Sequence, residues 1–197
     1  NINLFISDYS RSKWGWNSDE AEVISHGIDV QKFKSLDIPK KQYILSVVND
    51  WVARDWCCGW SLYQQITGVK TDKQLLPVRI FGNTPNISVY AKDTKELIEG
   101  YNECSVFLNT SLISPIPTVV LEAMSCGLPV IAPDSTIFNY FISKDNGLLI
   151  LPDSQESIKQ ISEYINKKRY AKQGVCARDY VKKHFDLDVV STKYLEV

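Results

Sequence analysis

This 197-residue chain lacks an excess of either charge: 22 basic side chains stand against 23 acidic ones, for a net charge of −1. No stretch gathers the six or so cations that counterion-release binding needs, which argues against a nucleic-acid platform and leaves room for a compact anion site. Long apolar runs are lacking as well. None approaches the ~18 residues of a membrane span, and no secretory leader opens the sequence. Internal repeats and low-complexity tracts are absent. Methionine occurs once, as Met124, and the chain opens on Asn1, so the expectation is a cut made inside a longer gene product. The five cysteines, Cys57, Cys58, Cys104, Cys126 and Cys176, are odd in number and fit no paired metal spacing. They point to a reduced, cytoplasmic thiol set. With 44% apolar residues, the chain has enough material for one sizeable domain, or a domain plus a fragment of another, and is neither disordered nor a coiled coil.

What is present alternates short β-branched runs with helix-sized segments. NLFIS (3–7), EVISH (22–26), YILSVV (43–48), PVRIF (77–81), ISVYA (87–91), VFLNT (106–110), PVIA (129–132) and LLIL (148–151) read as strands. Several are apolar throughout, as expected for strands covered on both faces, and predict an α/β fold: a Rossmann-like open parallel sheet with helices on both sides and a helical tail over 154–197. Asp93 with Glu96, and Asp153 with Glu156, have the spacing of helix-capping pairs.

In such sheets ligands bind beyond the carboxyl ends of the strands. The loops there begin at Asn49, Gly82, Ser111 and Pro133, and none carries a GxGxxG or P-loop motif, which argues against nicotinamide dehydrogenases and P-loop phosphotransferases. The third loop feeds the helix PTVVLEAMSC. Val119, Val120, Ala123 and Met124 supply a buried face, while Thr118, Glu122 and Ser125 form one narrow polar stripe. Glu122 either points to solvent or accepts hydrogen bonds from ligand hydroxyls. Free amides from about Thr118 onward, with the positive end of the helix dipole, suit phosphate. Phosphate at one end and hydroxyls further along describe a ribose diphosphate.

The stretch ELIEGYNECSVFLNTSLISPIPTVVLEAMSCGLPVIAPDS, followed by NGLLIL, resembles the donor-nucleotide half of the retaining GT-B glycosyltransferases of the glycogen-synthase-like and mannosyltransferase-like superfamily. VISHGIDVQKF, ILSVVNDWVARDW and VRIFGNTP resemble the segments that open that half. The resemblance implies a hexosyltransferase without cofactor or metal. It would bind a nucleotide-diphosphate sugar, base undecided among UDP, GDP and ADP, and transfer the sugar to a glycan, lipid or protein acceptor held by a separate N-terminal domain. On that reading residues 1–20 trail from an upstream domain or linker, 21–185 form the donor domain, and 186–197 are a helix packing toward the N-terminal domain. The implied location is cytoplasmic, with peripheral attachment at the inner face of a membrane left open.

Carried over residue by residue, the diphosphate-gripping Arg and Lys of the family fall on Asn49 and Arg54. Arg54 keeps the charge and can grip bidentately; the other reading is a surface ion pair with Asp50 or Asp55. Of the family's two glutamates, eight residues apart, the second falls on Glu122 and the first on Ser114, which cannot supply the same charge. SPIP and Arg-Asp-Trp-Cys-Cys-Gly (54–59) are departures that occur together. The implied catalytic set is Arg54, Ser114 and Glu122, and the donor-binding set adds Asn49, Gly82, Tyr90, Lys92, Pro115, Thr118 and Val119. Trp51, Trp56 and Trp60 read as packing more than base stacking, with Trp56 and Trp60 expected on one helical face. His26 reads as a structural histidine near a hinge, His184 as a helix-end residue. Lys167-Lys168-Arg169 is expected to close a helix. Rival readings are a nucleotide-sugar epimerase and a non-catalytic scaffold.

Overall fold

A computed structural model describes residues 3–67, 76–151 and 154–197. The chain opens with β1 (Asn3–Phe5), α1 (Asp8–Lys13) and β2 (Ala21–Val23), in which β1 and β2 pair in parallel, Asn3 opposite Ala21. The strand expected at 22–26 therefore forms early and pairs with β1, apart from the main sheet. That sheet contains β3 (Ile44–Val47), β4 (Val78–Phe81), β5 (Val106–Leu108), β6 (Val130–Pro133) and β7 (Gly147–Ile150), all parallel, in spatial order β4-β3-β5-β6-β7. The helices are α2 (Asp55–Cys58), α3 (Trp60–Thr67), α4 (Thr94–Glu103), α5 (Thr118–Ser125), α6 (Ser154–Asn166), α7 (Tyr170–His184) and α8 (Leu187–Leu195).

Successive strand residues point to opposite faces, and the apolar runs follow from that. Ile44, Val106, Leu108, Ile131 and Ile150 pack with Leu62 and Ile66 of α3 and Ile161 of α6. Leu45, Phe107, Val130 and Ala132 pack with Tyr101 of α4, Val120 and Met124 of α5 and Val181 of α7. Both faces are covered, so neither needs polar alternation.

From β3 the chain crosses first to β4 on one side and then to β5 on the other. The strand order reverses between β3 and β5, the position beyond whose carboxyl ends the ligand crevice of an open α/β sheet lies. β3 and β5 are joined by the Ser46 hydroxyl, which donates to the Leu108 carbonyl at 2.8 Å.

Two expected elements differ. Residues 87–91 form no strand: Val89 makes one parallel bridge to Phe81, donating to Ile80 O and accepting from Gly82 N, and the rest is open. Pro85 and Asn86, the latter at φ +61°, turn the chain too tightly for the run to extend. Trp56 and Trp60 do not share a face, because Gly59 at φ +68° ends α2 between them; Trp56 is 69% exposed while Trp60 packs on Trp51. The capping pair at Asp93 holds, with Asp93 Oδ1 accepting from Glu96 N at 2.8 Å, although Glu96 reaches past it to Lys92 N at 2.9 Å. The pair at Asp153 lies outside the described residues. The tail over 154–197 is helical, and α8 is tied back by Ile28, which donates to Phe185 O and accepts from Leu187 N at 2.7 and 3.1 Å.

Candidate functional site

The loop after β3 is held by the loop after β4. Asn83 Oδ1 accepts from Asp50 N at 2.5 Å, Asn83 Nδ2 donates to Asp50 Oδ1 at 3.0 Å, and Thr84 Oγ1 accepts from Trp51 N at 3.0 Å. Gly82 belongs to the same joint. At φ +154° a side chain there would place its Cβ 1.9 Å from Val48 O, so the glycine is required by backbone approach whatever binds nearby. Trp51, fully buried, donates its indole N–H to Cys58 O at 2.9 Å and packs against Trp60 and Tyr63. Packing is thus the role of Trp51 and Trp60.

The loop after β3 is also locked to the loop after β5. Cys57 O accepts from Leu112 N at 2.8 Å, Thr110 Oγ1 donates to Cys58 O at 3.1 Å, and a Cβ on Gly59 would lie 1.9 Å from Thr110 O. The Cys-Cys-Gly segment is therefore the mould for the turn that leads into SPIP. Of the two departures noted in the sequence, the one at 54–59 thus bonds the residues that lead directly into the other, which is a physical reason for their occurring together.

Within this frame Arg54 is exposed and makes no ion pair among the described residues. Its Nη2 reaches only Cys57 Sγ, at 3.8 Å. Asp50 is occupied by Asn83, and Asp55 accepts from the amide and hydroxyl of Ser61 at 2.7 and 2.5 Å. Those bonds, the hydroxyl's foremost, hold the Asp55 carboxyl below its usual range. The ion-pair reading of Arg54 is not realised. Asn49 is exposed on the same loop, and Ser114 is half-buried on the other.

Pro117 is the N-cap of α5 rather than its first residue, with no side-chain cap. Its carbonyl accepts from Val120 N at 3.0 Å. The amides of Thr118 and Val119 are left for an external acceptor, at the positive end of the helix. Pro115, exposed, has no N–H to offer. Glu122 lies one turn further, about 6 Å along the axis. Its Oε2 accepts the phenol hydroxyl of Tyr101 at 2.8 Å, which leaves Oε1 for a ligand. Burial pushes the Glu122 carboxyl up, while the Tyr101 bond and Lys32 pull the other way. Tyr101, fully buried in α4, is the functional neighbour that sequence reasoning missed; a tyrosine on the buried face of an amphipathic helix, needing a partner for its hydroxyl, was the available signal.

Arg54, Ser114, Thr118, Val119 and Glu122 thus stand on the two loops and one helix that flank the β3–β5 crevice. Tyr90 and Lys92, both exposed, stand at the outer edge of β4 instead. His26 is exposed near β2, and His184 packs against Tyr180 at the end of α7, with the two rings tilted by 38°.

Residues 64–167 match a family model described as glycosyl transferases group 1, which is more than half of the chain. The chain belongs to that family. No curated protein sequence matches this group 1 glycosyl transferase. Its fold is shared with sucrose-phosphate synthase of Thermosynechococcus elongatus, at 17% identity and a TM-score of 0.77, over 98% of this chain and 56% of that one. TarM of S. aureus, in a complex with UDP among other ligands, is similar at 16% identity and 0.78, over 98% and 43%. Anabaena HepE, in complex with UDP and glucose, is similar at 16% identity and 0.76, over 99% and 62%. At these identities the likeness is one of fold, and it is the fold of a GT-B half. The chain spans roughly two fifths to three fifths of the length of these proteins.

Proposed function

We propose that this chain is the donor-binding half of a retaining glycosyltransferase that uses a nucleotide-diphosphate sugar. The observation that carries the reading is the uncapped start of α5: two free amides at Thr118 and Val119, one turn from a carboxylate with an oxygen to spare. Arg54 and those amides hold the diphosphate and stabilise the charge that develops on it as the sugar–phosphate bond breaks, in place of a metal ion. Glu122 Oε1 accepts from the ribose hydroxyls. The acceptor oxygen forms its bond on the face the diphosphate leaves, and its proton passes to the departing phosphate. The acceptor, a glycan, lipid or protein, is held by an N-terminal domain, toward which residues 1–20 and 186–197 lead from the domain over 21–185. Ser114 touches the sugar as a neutral hydrogen-bonding group. Gly82 lines the base side of the crevice, and Asn49 supplies a neutral donor to phosphate. No helix among the described residues is long and apolar enough to cross a membrane; the reading places the enzyme in the cytoplasm, where nucleotide sugars are used for glycan synthesis.

The support from solved relatives is that HepE and TarM structures contain UDP. Calorimetry of the protein with UDP, GDP and ADP tests the reading. Binding that weakens in Arg54→Ala and Glu122→Ala supports it. No measurable binding of any of the three at millimolar concentration favours a scaffold that keeps the fold without the activity.

A further inference from the structure

The hydroxyl of Tyr101 has one proton to give, and it gives it to Glu122. A phenylalanine would fill the same buried space without a hydroxyl to satisfy, so packing alone does not account for the tyrosine. The ring is fully buried and held on two sides, with Phe33 edge-on at 6.4 Å and Phe107 tilted at 5.9 Å. Its neighbours in α4 fix the helix as well. A Cβ on Gly100 would lie 2.2 Å from the Phe81 ring, so α4 packs close on β4. Asn102 is tied to the segment before β3, its Oδ1 accepting from Leu36 N at 2.7 Å and its Nδ2 donating to Lys34 O at 3.0 Å. The phenol oxygen is therefore a fixed post, 2.8 Å from Glu122 Oε2. A glutamate held at one oxygen loses rotamer freedom, and the direction of its other oxygen is set.

The same bond bears on charge. Burial pushes the Glu122 carboxyl up, and against it work the Tyr101 hydroxyl first and the exposed ammonium of Lys32 second. A hydrogen bond given to a carboxylate favours its charged form. Burial, with the Glu122 charge behind it, holds the Tyr101 phenol well above its ordinary range, so it donates and does not compete for the proton. The other groups nearby supply no substitute. Cys126, one turn on in α5, is kept protonated, pushed up to about 12 by burial. Arg178 of α7 is turned to backbone, donating to the carbonyls of Val30, Phe33 and Ser125.

We propose that Tyr101 is a positioning residue for the donor: it aims Glu122 Oε1 at the ribose and keeps that carboxyl ionised, so that donor affinity withstands mild acid. The inference rests on the donor-binding reading above and adds the device that makes a glutamate usable at so buried a place. Without the phenol the carboxyl takes up a proton more readily, and a neutral acid is the weaker acceptor for ribose hydroxyls.

The test compares the full-length protein with Tyr101→Phe, in which the ring and its packing stay. UDP, GDP and ADP are titrated by calorimetry from about pH 8 down to about pH 5.5, and the result is read as the ratio of the two proteins' affinities, in which the titration of the nucleotide's own phosphates cancels. The ratio is expected to grow as the pH falls, reaching about 10-fold, because Glu122 of the variant protonates at higher pH. In a Glu122→Gln background the same change should leave the ratio flat. The carboxyl carbon shift of Glu122, followed by NMR against pH without nucleotide, should titrate with a midpoint that moves up in Tyr101→Phe. A ratio constant with pH, or a midpoint that does not move, overturns the inference and leaves the donor reading standing. No binding of any of the three nucleotides to the unaltered protein at millimolar concentration overturns the donor reading, and the role of Tyr101 toward the donor with it, even where the midpoint moves.

Discussion

On the proposed reading Glu122 has two duties, toward Tyr101 and toward the donor, and they can be separated by substitution. Glu122→Ala removes a ligand-facing oxygen and strands the buried Tyr101 hydroxyl, so it should cost roughly 1.5–3 kcal/mol of nucleotide affinity and about 1–3 kcal/mol of stability. Glu122→Gln keeps an acceptor for Tyr101 and isolates the charge. Because burial raises this carboxyl above its ordinary 4.5, the folded state holds the proton to higher pH than the unfolded chain. Glu122 therefore makes the protein lose stability as pH rises from about 4.5 through the raised value, and Glu122→Gln should abolish that part of the slope in denaturation series across acid pH. Arg54 is the opposite case. It is exposed and makes no ion pair among the described residues, so Arg54→Ala should leave the melting temperature nearly unchanged while weakening nucleoside diphosphate binding about 10-fold or more, read by calorimetry beside a thermal melt. The sequence marked both residues, since charge and position in the motif are local. It could not show that Asp50 and Asp55 have other partners, because Asn83, which engages Asp50, is 33 residues away.

At the scale of elements, the contact between α2 and the loop after β5 decides whether the crevice has its shape. Gly59→Ala must both adopt φ +68° and displace Thr110 O, and should cost more than ~2 kcal/mol. A thermal melt checks this, and nucleotide affinity should fall with it as the SPIP turn shifts. Helices and strands with one consistent pattern were readable directly: the capping pair at Asp93, the apolar face of α5, and the β-branched runs from β3 to β7. ISVYA was not, because a β-branched run becomes a strand only where a neighbour offers a free edge over several residues. Pro85 and Asn86 turn the chain so that only Val89 meets β4. The Trp56–Trp60 pair failed for a related reason. Helical spacing applies within one helix, and a left-handed glycine between them makes two.

At the scale of the whole molecule, all five cysteines are free, and four are buried. Burial pushes Cys58 and Cys104 up to about 11 and Cys126 to about 12, which keeps them protonated and slow to react. Only Cys176 is partly exposed. Titration with a chromogenic disulfide should find one fast thiol in the folded protein and five after denaturation. An odd, reduced set was legible in the count alone; which thiol is accessible was not, since Cys57 and Cys58 sit in a polar loop by sequence and become buried only when α2 folds onto Thr110.

By itself the sequence determined the fold class, through apolar runs that alternate with amphipathic helices, and the family, through the segment from Glu96 to Ser135. It also marked Arg54, Thr118, Val119 and Glu122, because a motif on one loop and one helix is local in the chain. Tertiary structure alone decided that Tyr101 bonds Glu122, that Cys57 and Cys58 shape the turn before SPIP, and that Asn83 and Thr84 hold the loop after β3. Those relations join residues brought together by the order of parallel strands and the helices packed on them, and hydrogen bonds of that kind leave no periodicity in the sequence for a reader to find.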